Sequence, residues 1–438
     1  MDKRLLNAEE EILKQMVGKF SEIVDGDRRS DIIKAIAKKH YPDISHSEIN
    51  AIIEDMSDFA PIAELLADED IEDIMINNTT NIFAFSSKRG SMKIESKIDD
   101  RDHLNRFVAK LKLYLTNSKY SGNIVDIHLP NGSRANVVSS PLGYNISIRN
   151  QKKTPLSILD LINTNVMDYE IAARLWLYVD GLKVRPANLL IGGVPAAGKT
   201  TLLNAMFSFF RPDQRIITIE ETYELNTSTQ ENCVNLETSE DIPMEALVKN
   251  ALRMRPDLII IGEVRGAEAN DMITAMNIGK IAMGTIHGSS SRDIVNRLQH
   301  TPMNVPMDIV PVIDALVVVS PFYNADTSYR KVTQISEISG IETQVLLSDL
   351  YKYDYKTRRG SPILPSVTYR DMLANLLGVP PTEILAEERV RAIILETLNK
   401  QGKRSISHIS DLVKKYYDNP DSALKSLGVT GVQPAVRV

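Results

Sequence analysis

The residues whose spacing carries the most chemistry are Gly193-Val194-Pro195-Ala196-Ala197-Gly198-Lys199-Thr200, followed by Thr201. They fit G-x-x-x-x-G-K-[ST], the loop that cradles phosphate groups. Gly193 and Gly198 allow backbone conformations that other residues avoid, so successive N–H groups can converge on phosphate oxygens. Lys199, expected to lie exposed in the loop, would neutralise the β- and γ-phosphates, and the Thr200 hydroxyl would help to hold Mg²⁺. The apolar run Leu189-Leu190-Ile191 ahead of the loop reads as a buried strand. Leu202-Leu203-Asn204-Ala205-Met206-Phe207 behind it reads as a helix, whose N-terminal end favours anions.

Three more apolar strands end in groups that a core would reject. Residues 215–219 run into Glu220-Glu221, residues 257–261 into Gly262-Glu263, and residues 281–285 into Ile286-His287. Adjacent carboxylates packed without partners would cost on the order of several kcal/mol. One such ending is what a strand emerging into solvent looks like; four together point to a site, because open α/β sheets bind ligands at the carboxyl ends of their strands. Phosphoryl transfer to water needs a group that orients the water, metal coordination, and cations for the charge on the phosphoryl oxygens. Glu220 is the candidate to orient or deprotonate water. Glu263 is the candidate acid for Mg²⁺, directly or through water. His287 could sense the γ-phosphate or polarise water.

The elements that must position these residues follow from hydrophobic periodicity. Residues 1–58 read as a helical region, with Ser45-His46-Ser47-Glu48 fitting a capping box. Its basic residues Arg28, Arg29, Lys34, Lys38 and Lys39 read as a solvated helix face. Residues 59–149 read as a small α/β domain, with strands at 74–76, 82–85, 125–129, 135–138 and 146–148 and a helix over 99–115. Residues 150–156 are polar, contain Pro155, and read as a linker. Residues 157–345 alternate strands (189–192, 215–219, 233–236, 257–261, 281–285, 314–320) with helices (244–254, 267–277, 291–299), the pattern of a parallel sheet covered on both faces. Residues 331–338 and 344–353 are spaced to pair antiparallel. Residues 346–428 read as a mainly helical extension and 429–438 as a mobile tail.

Composition narrows the setting. Lys and Arg number 51 against 57 Asp and Glu, a formal charge of −6 that offers no global attraction to nucleic acid or anionic lipid. The single cysteine, Cys233, rules out an internal disulfide and a four-cysteine zinc module. No apolar run reaches the roughly 18–20 residues that span a bilayer. The start, charged from Asp2 onwards, shows no secretory signal, so a cytoplasmic setting is expected.

In their order the motifs resemble those of the ATPases that power type II secretion, type IV pili and type IV secretion. The phosphate loop corresponds to that family's Walker A box. Ile219-Glu220-Glu221-Thr222-Tyr223-Glu224 resembles its acidic box, residues 255–266 (RPDLIIIGEVRG) its Walker B box, and Gly284-Thr285-Ile286-His287-Gly288 its histidine box. Gly132-Ser133-Arg134 and Ile146-Ser147-Ile148-Arg149 are similar to its N-terminal domain, where matching arginines reach nucleotide phosphates when the domains close. The resemblance therefore makes Arg134 and Arg149 candidate arginine fingers, and places Arg265 and Arg297 near the site. Three departures stand out. Gly279-Lys280 replaces the usual upstream Gly-His, Glu221 stands where Asp is usual, and the four-cysteine zinc element of the bacterial pilus-extension branch is absent.

The resemblance implies an α/β fold: a RecA-like P-loop NTPase core with an N-terminal α/β domain, an N-terminal helical region and a C-terminal mainly helical extension. It further implies a Mg²⁺-dependent ATPase acting as a hexamer on a membrane platform protein, peripheral to the inner face of the cell membrane and without direct contact to nucleic acid. Residues 302–306 (PMNVP) and 416–420 (YYDNP) look most like the archaeal branch that assembles archaella or related pili. Type IV secretion of DNA or protein, and a nucleotide-gated scaffold with negligible turnover, remain as alternatives.

Overall fold

A computed structural model describes the chain except residues 1–2, 17–25, 58, 60–61, 87, 116–122, 151–154, 240, 324–327, 430, 432, 435 and 437–438. Two compact units emerge, one over Met1–Lys153 and the other over Thr154–Tyr323 with Tyr329–Val438. Residues 151–154 of the expected linker lie outside the described residues.

In the first unit the helices Lys3–Met16, Gly26–His40 and His46–Ser57 precede a six-stranded sheet. Its strands are β1 (Asp73–Ile76), β2 (Ile82–Ser86), β3 (Gly90–Ile94), β4 (Ile124–His128), β5 (Arg134–Ser140) and β6 (Gly143–Arg149), in the order β3-β2-β1-β6-β5-β4. All the pairings are antiparallel. The capping box forms: the Ser45 hydroxyl accepts from the Glu48 N–H at 3.2 Å, and Glu48 Oε2 accepts from the Ser45 N–H at 2.7 Å. The helices and the sheet share one core, in which Ile12, Ile33 and Ile52 join Ile74, Leu104 and Ile146. The boundary expected at residues 58 and 59 therefore marks no break in packing. β3 was not expected, because its alternation of half-buried and exposed residues leaves little apolar pattern.

The second unit is built on nine strands. They are β7 (Leu189–Gly193), β8 (Ile216–Glu220), β9 (Cys233–Glu237), β10 (Leu258–Val264), β11 (Ile281–His287), β12 (Ala315–Tyr323), β13 (Ser328–Ile341), β14 (Val345–Asp354) and β15 (Arg359–Pro362). Their order is β15-β14-β13-β12-β7-β11-β10-β8-β9. The run from β12 to β9 is parallel. β11 lies between the strand leading to the phosphate loop and the strand carrying Glu263, the RecA-like arrangement. Successive side chains of β10 go to opposite faces: Leu258 and Ile260 join one core, Ile259 and Ile261 the other. Both faces are covered, which is why these strands read as unbroken apolar runs.

The sheet continues past residue 345. β13 and β14 pair antiparallel, as the spacing of 331–338 and 344–353 indicates. β14 and β15 thus occupy the start of the segment 346–428 expected to be mainly helical, and the helices Thr368–Leu377, Pro381–Lys400, Ile406–Asp418 and Pro420–Ser426 follow. These helices are packed into the unit. Glu337 of β13, fully buried, accepts backbone N–H bonds from Val367, Thr368 and Tyr369 at 3.0–3.3 Å and so caps the first of them. Trp176, on the helix Tyr169–Asp180, stacks on Phe209 at 5.4 Å and donates to the Tyr417 hydroxyl at 2.9 Å. Arg391 lies 4.9 Å from the Trp176 ring and pairs with Asp180 at 2.9 Å. Val436, in the expected tail, is buried against the same core. Among the described residues no helix is long and apolar enough to cross a membrane.

Candidate functional site

The phosphate-type loop leaves β7 at Gly193 and re-enters regular structure at the helix Lys199–Ala205. A Cβ on Gly193 would lie 2.6 Å from the Val319 carbonyl oxygen and 2.9 Å from the Ala197 Cβ, so only glycine fits there. Gly198 has φ +91° and Ala196 φ +58°; the second conformation is uncommon for a residue with a side chain. Val194, Pro195 and Ala196 face outward to different degrees, whereas Ala197 is buried. Thr200 is half-buried in the first turn of the helix, and Thr201 beside it is exposed.

Lys199 is buried, contrary to the expectation that it lies exposed in the loop. Its side chain turns back under the loop, where Nζ donates to the Gly193 carbonyl at 3.3 Å and lies 3.5 Å from Glu263 Oε1. The loop's reversal at Gly198 directs the lysine inward, toward the last residues of β10. Arg265 holds the other oxygen, Glu263 Oε2, at 2.6 Å and reaches Glu221 Oε2 at 2.8 Å. Burial pulls the Glu263 carboxyl upward, but the Arg265 hydrogen bond and the charges of Lys199 and Arg265 outweigh it and hold the group below its ordinary value. Glu263 is therefore a carboxylate set between two cations from different elements.

Glu220, the last residue of β8, is 2% exposed. Oε1 accepts from the backbone N–H groups of Glu224 and Leu225 at 3.0 and 3.1 Å, which folds the acidic-box loop around it. Oε2 is buried without a protein partner. Burial pushes the carboxyl up to about 7, against the two backbone bonds. Its Cγ lies 3.0 Å from where a Cβ on Gly262 would stand, so the glycine before Glu263 makes room for it. His287 ends β11 with Gly193 as its register partner. Partial burial, Lys199 and Arg297 lower its pKa and favour the neutral ring.

The loop, Glu220, Glu263 and His287 thus converge on one end of the sheet. Lys280, at the family's upstream histidine position, does not. It precedes β11 at the opposite end, where its Nζ donates to the Pro256 carbonyl at 3.3 Å. Arg134 and Arg149 belong to the first unit. They are register partners on β5 and β6 and line a hollow of about 500 Å³ with Asp73, Asp126 and Asn136. Arg134 lies 4.0 Å from Asp126. Burial raises the Asp73 carboxyl, against the pull of Arg149. Arg330 of β13 belongs to none of the motifs and nothing in its sequence surroundings marks it, yet its Nε donates to the Ala196 carbonyl at 3.0 Å.

Chemically, the arrangement can receive a polyphosphate. A glycine-shaped loop is backed by a buried lysine, a carboxylate sits on the Walker B strand one strand beyond β11, and a second carboxyl, raised to about 7, ends the strand after that. Among the described residues no three acidic, histidine or cysteine side chains are close enough together to hold a metal ion by themselves. Thr200 and Glu263 are the chain's candidates to hold a divalent ion, and phosphate and water oxygens would complete its shell, which is how Mg²⁺ binds beside nucleotides.

Residues 55–321 match the family model described as Type II/IV secretion system protein. The chain belongs to that family. Two uncharacterized proteins of Methanocaldococcus jannaschii are 38% and 30% identical to it, over 49% and 67% of this chain and 31% and 56% of their own lengths. The chain thus spans less than two thirds of either relative. Conjugal transfer protein TrbB of Rhizobium radiobacter is 30% identical over 47% of this chain and 62% of that one. Among solved structures, the ATPase DotB of Legionella pneumophila is 20% identical, covers 80% of this chain and 94% of that chain, and gives a TM-score of 0.48.

Proposed function

We propose that the chain hydrolyses ATP in the pocket formed by residues 193–201, Glu220, Glu263 and His287, and works as the motor of a secretion or filament-assembly machine. The observation that carries this reading is the meeting of Lys199, at the start of the helix after β7, and Glu263, near the end of β10, at 3.5 Å, although β11 separates the two strands. A nucleotide-gated scaffold needs a loop and a lysine; it does not need a carboxylate held in its ionised form beside them. In this reading the phosphates lie in the loop against Lys199. Mg²⁺, held by Thr200 and Glu263, would offset the negative charge that develops on the phosphoryl oxygens. Glu220, raised toward neutrality with a free buried oxygen, orients the attacking water and takes its proton. His287, in its neutral form, donates to or accepts from a group at the γ position.

Arg134 and Arg149 act as arginine fingers when the two units close on each other about residues 150–156, and six copies form a ring on a membrane platform protein. Assembly of an archaellum or related pilus rests on the resemblance of residues 302–306 and 416–420 to the archaeal branch. The TrbB likeness favours a second reading, type IV secretion of DNA or protein. Loss of surface filaments on deletion of the gene supports the first; loss of conjugal transfer with filaments intact supports the second.

A phosphate-release assay on wild type and Glu263→Gln tests the enzymatic reading. Release is expected in wild type and its loss in the variant. Unchanged release in Glu263→Gln would remove Glu263 from the reaction.

A further inference from the structure

Arg330 lies beyond residues 55–321, the stretch the family model covers, yet it touches the phosphate loop. Its Nε donates to the Ala196 carbonyl at 3.0 Å. Its Cδ lies 3.2 Å from where a Cβ on Gly198 would sit, so the stem of the side chain runs across the loop at that glycine. The same peptide is held at its other end, where the Ala197 N–H donates to the Val194 carbonyl at 3.2 Å. A peptide unit is planar, with its C=O and N–H pointing in opposite directions. Bonds at both ends therefore fix the orientation of the Ala196–Ala197 plane.

That plane needs fixing. Ala196 has φ +58°, a left-handed conformation in which the Cβ of an alanine crowds the following carbonyl oxygen. Such a conformation persists where its surroundings over-determine it. A loop already in its binding shape loses less freedom when phosphates arrive, which raises affinity without any new contact to the ligand.

We infer that Arg330 is a positioning residue of the nucleotide site: its Nε–H holds the Ala196–Ala197 peptide and so keeps the loop shaped for the phosphates of a nucleoside di- or triphosphate. The inference rests on the nucleotide reading above. It also connects the loop to β13, the strand whose Glu337 caps the first C-terminal helix.

Two substitutions separate the hydrogen bond from the charge. Arg330→Met keeps the unbranched stem and removes the donor. Arg330→Gln places an amide nitrogen at the same distance along the side chain as Nε and removes the charge. The measurement is binding of a fluorescent ADP to the full chain by anisotropy, with EDTA present. Arg330→Met is expected to weaken binding about tenfold, the value of one hydrogen bond from a charged donor. Arg330→Gln is expected to stay within about threefold of wild type. With ATP, Arg330→Met raises KM and leaves kcat unchanged, as expected for a residue that acts on binding alone. Equal affinity of wild type and Arg330→Met overturns the inference. An Arg330→Gln variant as weak as Arg330→Met also overturns it and makes the charge the cause. Failure of wild type to bind ADP refutes the nucleotide reading itself, which is a different result.

Discussion

Glu220→Gln separates the cost of burying a carboxylate from its use. In the wild-type fold the Glu220 carboxyl is raised from 4.5 to about 7 by burial. Between those values the folded state binds more protons than the unfolded state, so stability falls as pH rises through the window and levels off above it. The full difference amounts to about 3 kcal/mol, and about 2–3 kcal/mol of it develops between pH 5 and pH 8.5. A glutamine keeps the shape and can still accept the Glu224 and Leu225 N–H bonds, but it carries no charge at either pH. Whatever constant penalty the amide brings cancels when each variant is compared with wild type at two pH values. We therefore expect the stability of Glu220→Gln relative to wild type to rise by about 2–3 kcal/mol from pH 5 to pH 8.5, roughly 5 °C in melting temperature for a unit of this size. Thermal melts of the nucleotide-free proteins at both pH values measure it. The same variant should lose ATP hydrolysis. A gap between the two proteins that does not change with pH would refute the buried-carboxylate reasoning.

Other perturbations probe the rest of the site. Lys199→Ala takes one cation from Glu263 and the buried charge from the loop, and should weaken ADP binding by roughly 30-fold or more; affinity within threefold of wild type would show that the site is misplaced. Lys280→His restores the family's usual residue at the far end of β11, so phosphate release should change by less than about twofold. A tenfold change would mean that the two ends of that strand are coupled. If Arg134 reaches a neighbouring subunit, mixing Arg134→Ala with Lys199→Ala protomers should restore part of the turnover that each lacks alone, and absence of any recovery refutes action across a subunit boundary.

Much of the fold could be read locally. Near-continuous apolar runs gave the parallel strands because both faces of that sheet are covered, and the helix Ser291–Gln299 has the limits its periodicity indicated. β3, with few apolar residues, left no such trace, and neither did the helix Tyr169–Asp180, whose residues are buried on nearly every side and show no polar face. In the expected helical extension, the pairing of β14 with β13 was legible in the spacing of 331–338 and 344–353, whereas β15, with all four residues exposed, left no apolar pattern.

The sequence alone determined that a phosphate loop, two acidic strand ends and a histidine exist in this chain, because each is a short pattern whose chemistry depends on neighbours a few residues away. It also determined the family, through the same four boxes. Only the tertiary structure decided that Lys199 is buried against Glu263, that Arg265 joins Glu221 to Glu263, that Lys280 stands at the wrong end of its strand to take part, and that Arg330 holds the loop. Each of these depends on which strands lie side by side, and strand order is set by burying apolar faces across the whole unit, a condition that no local stretch of sequence contains.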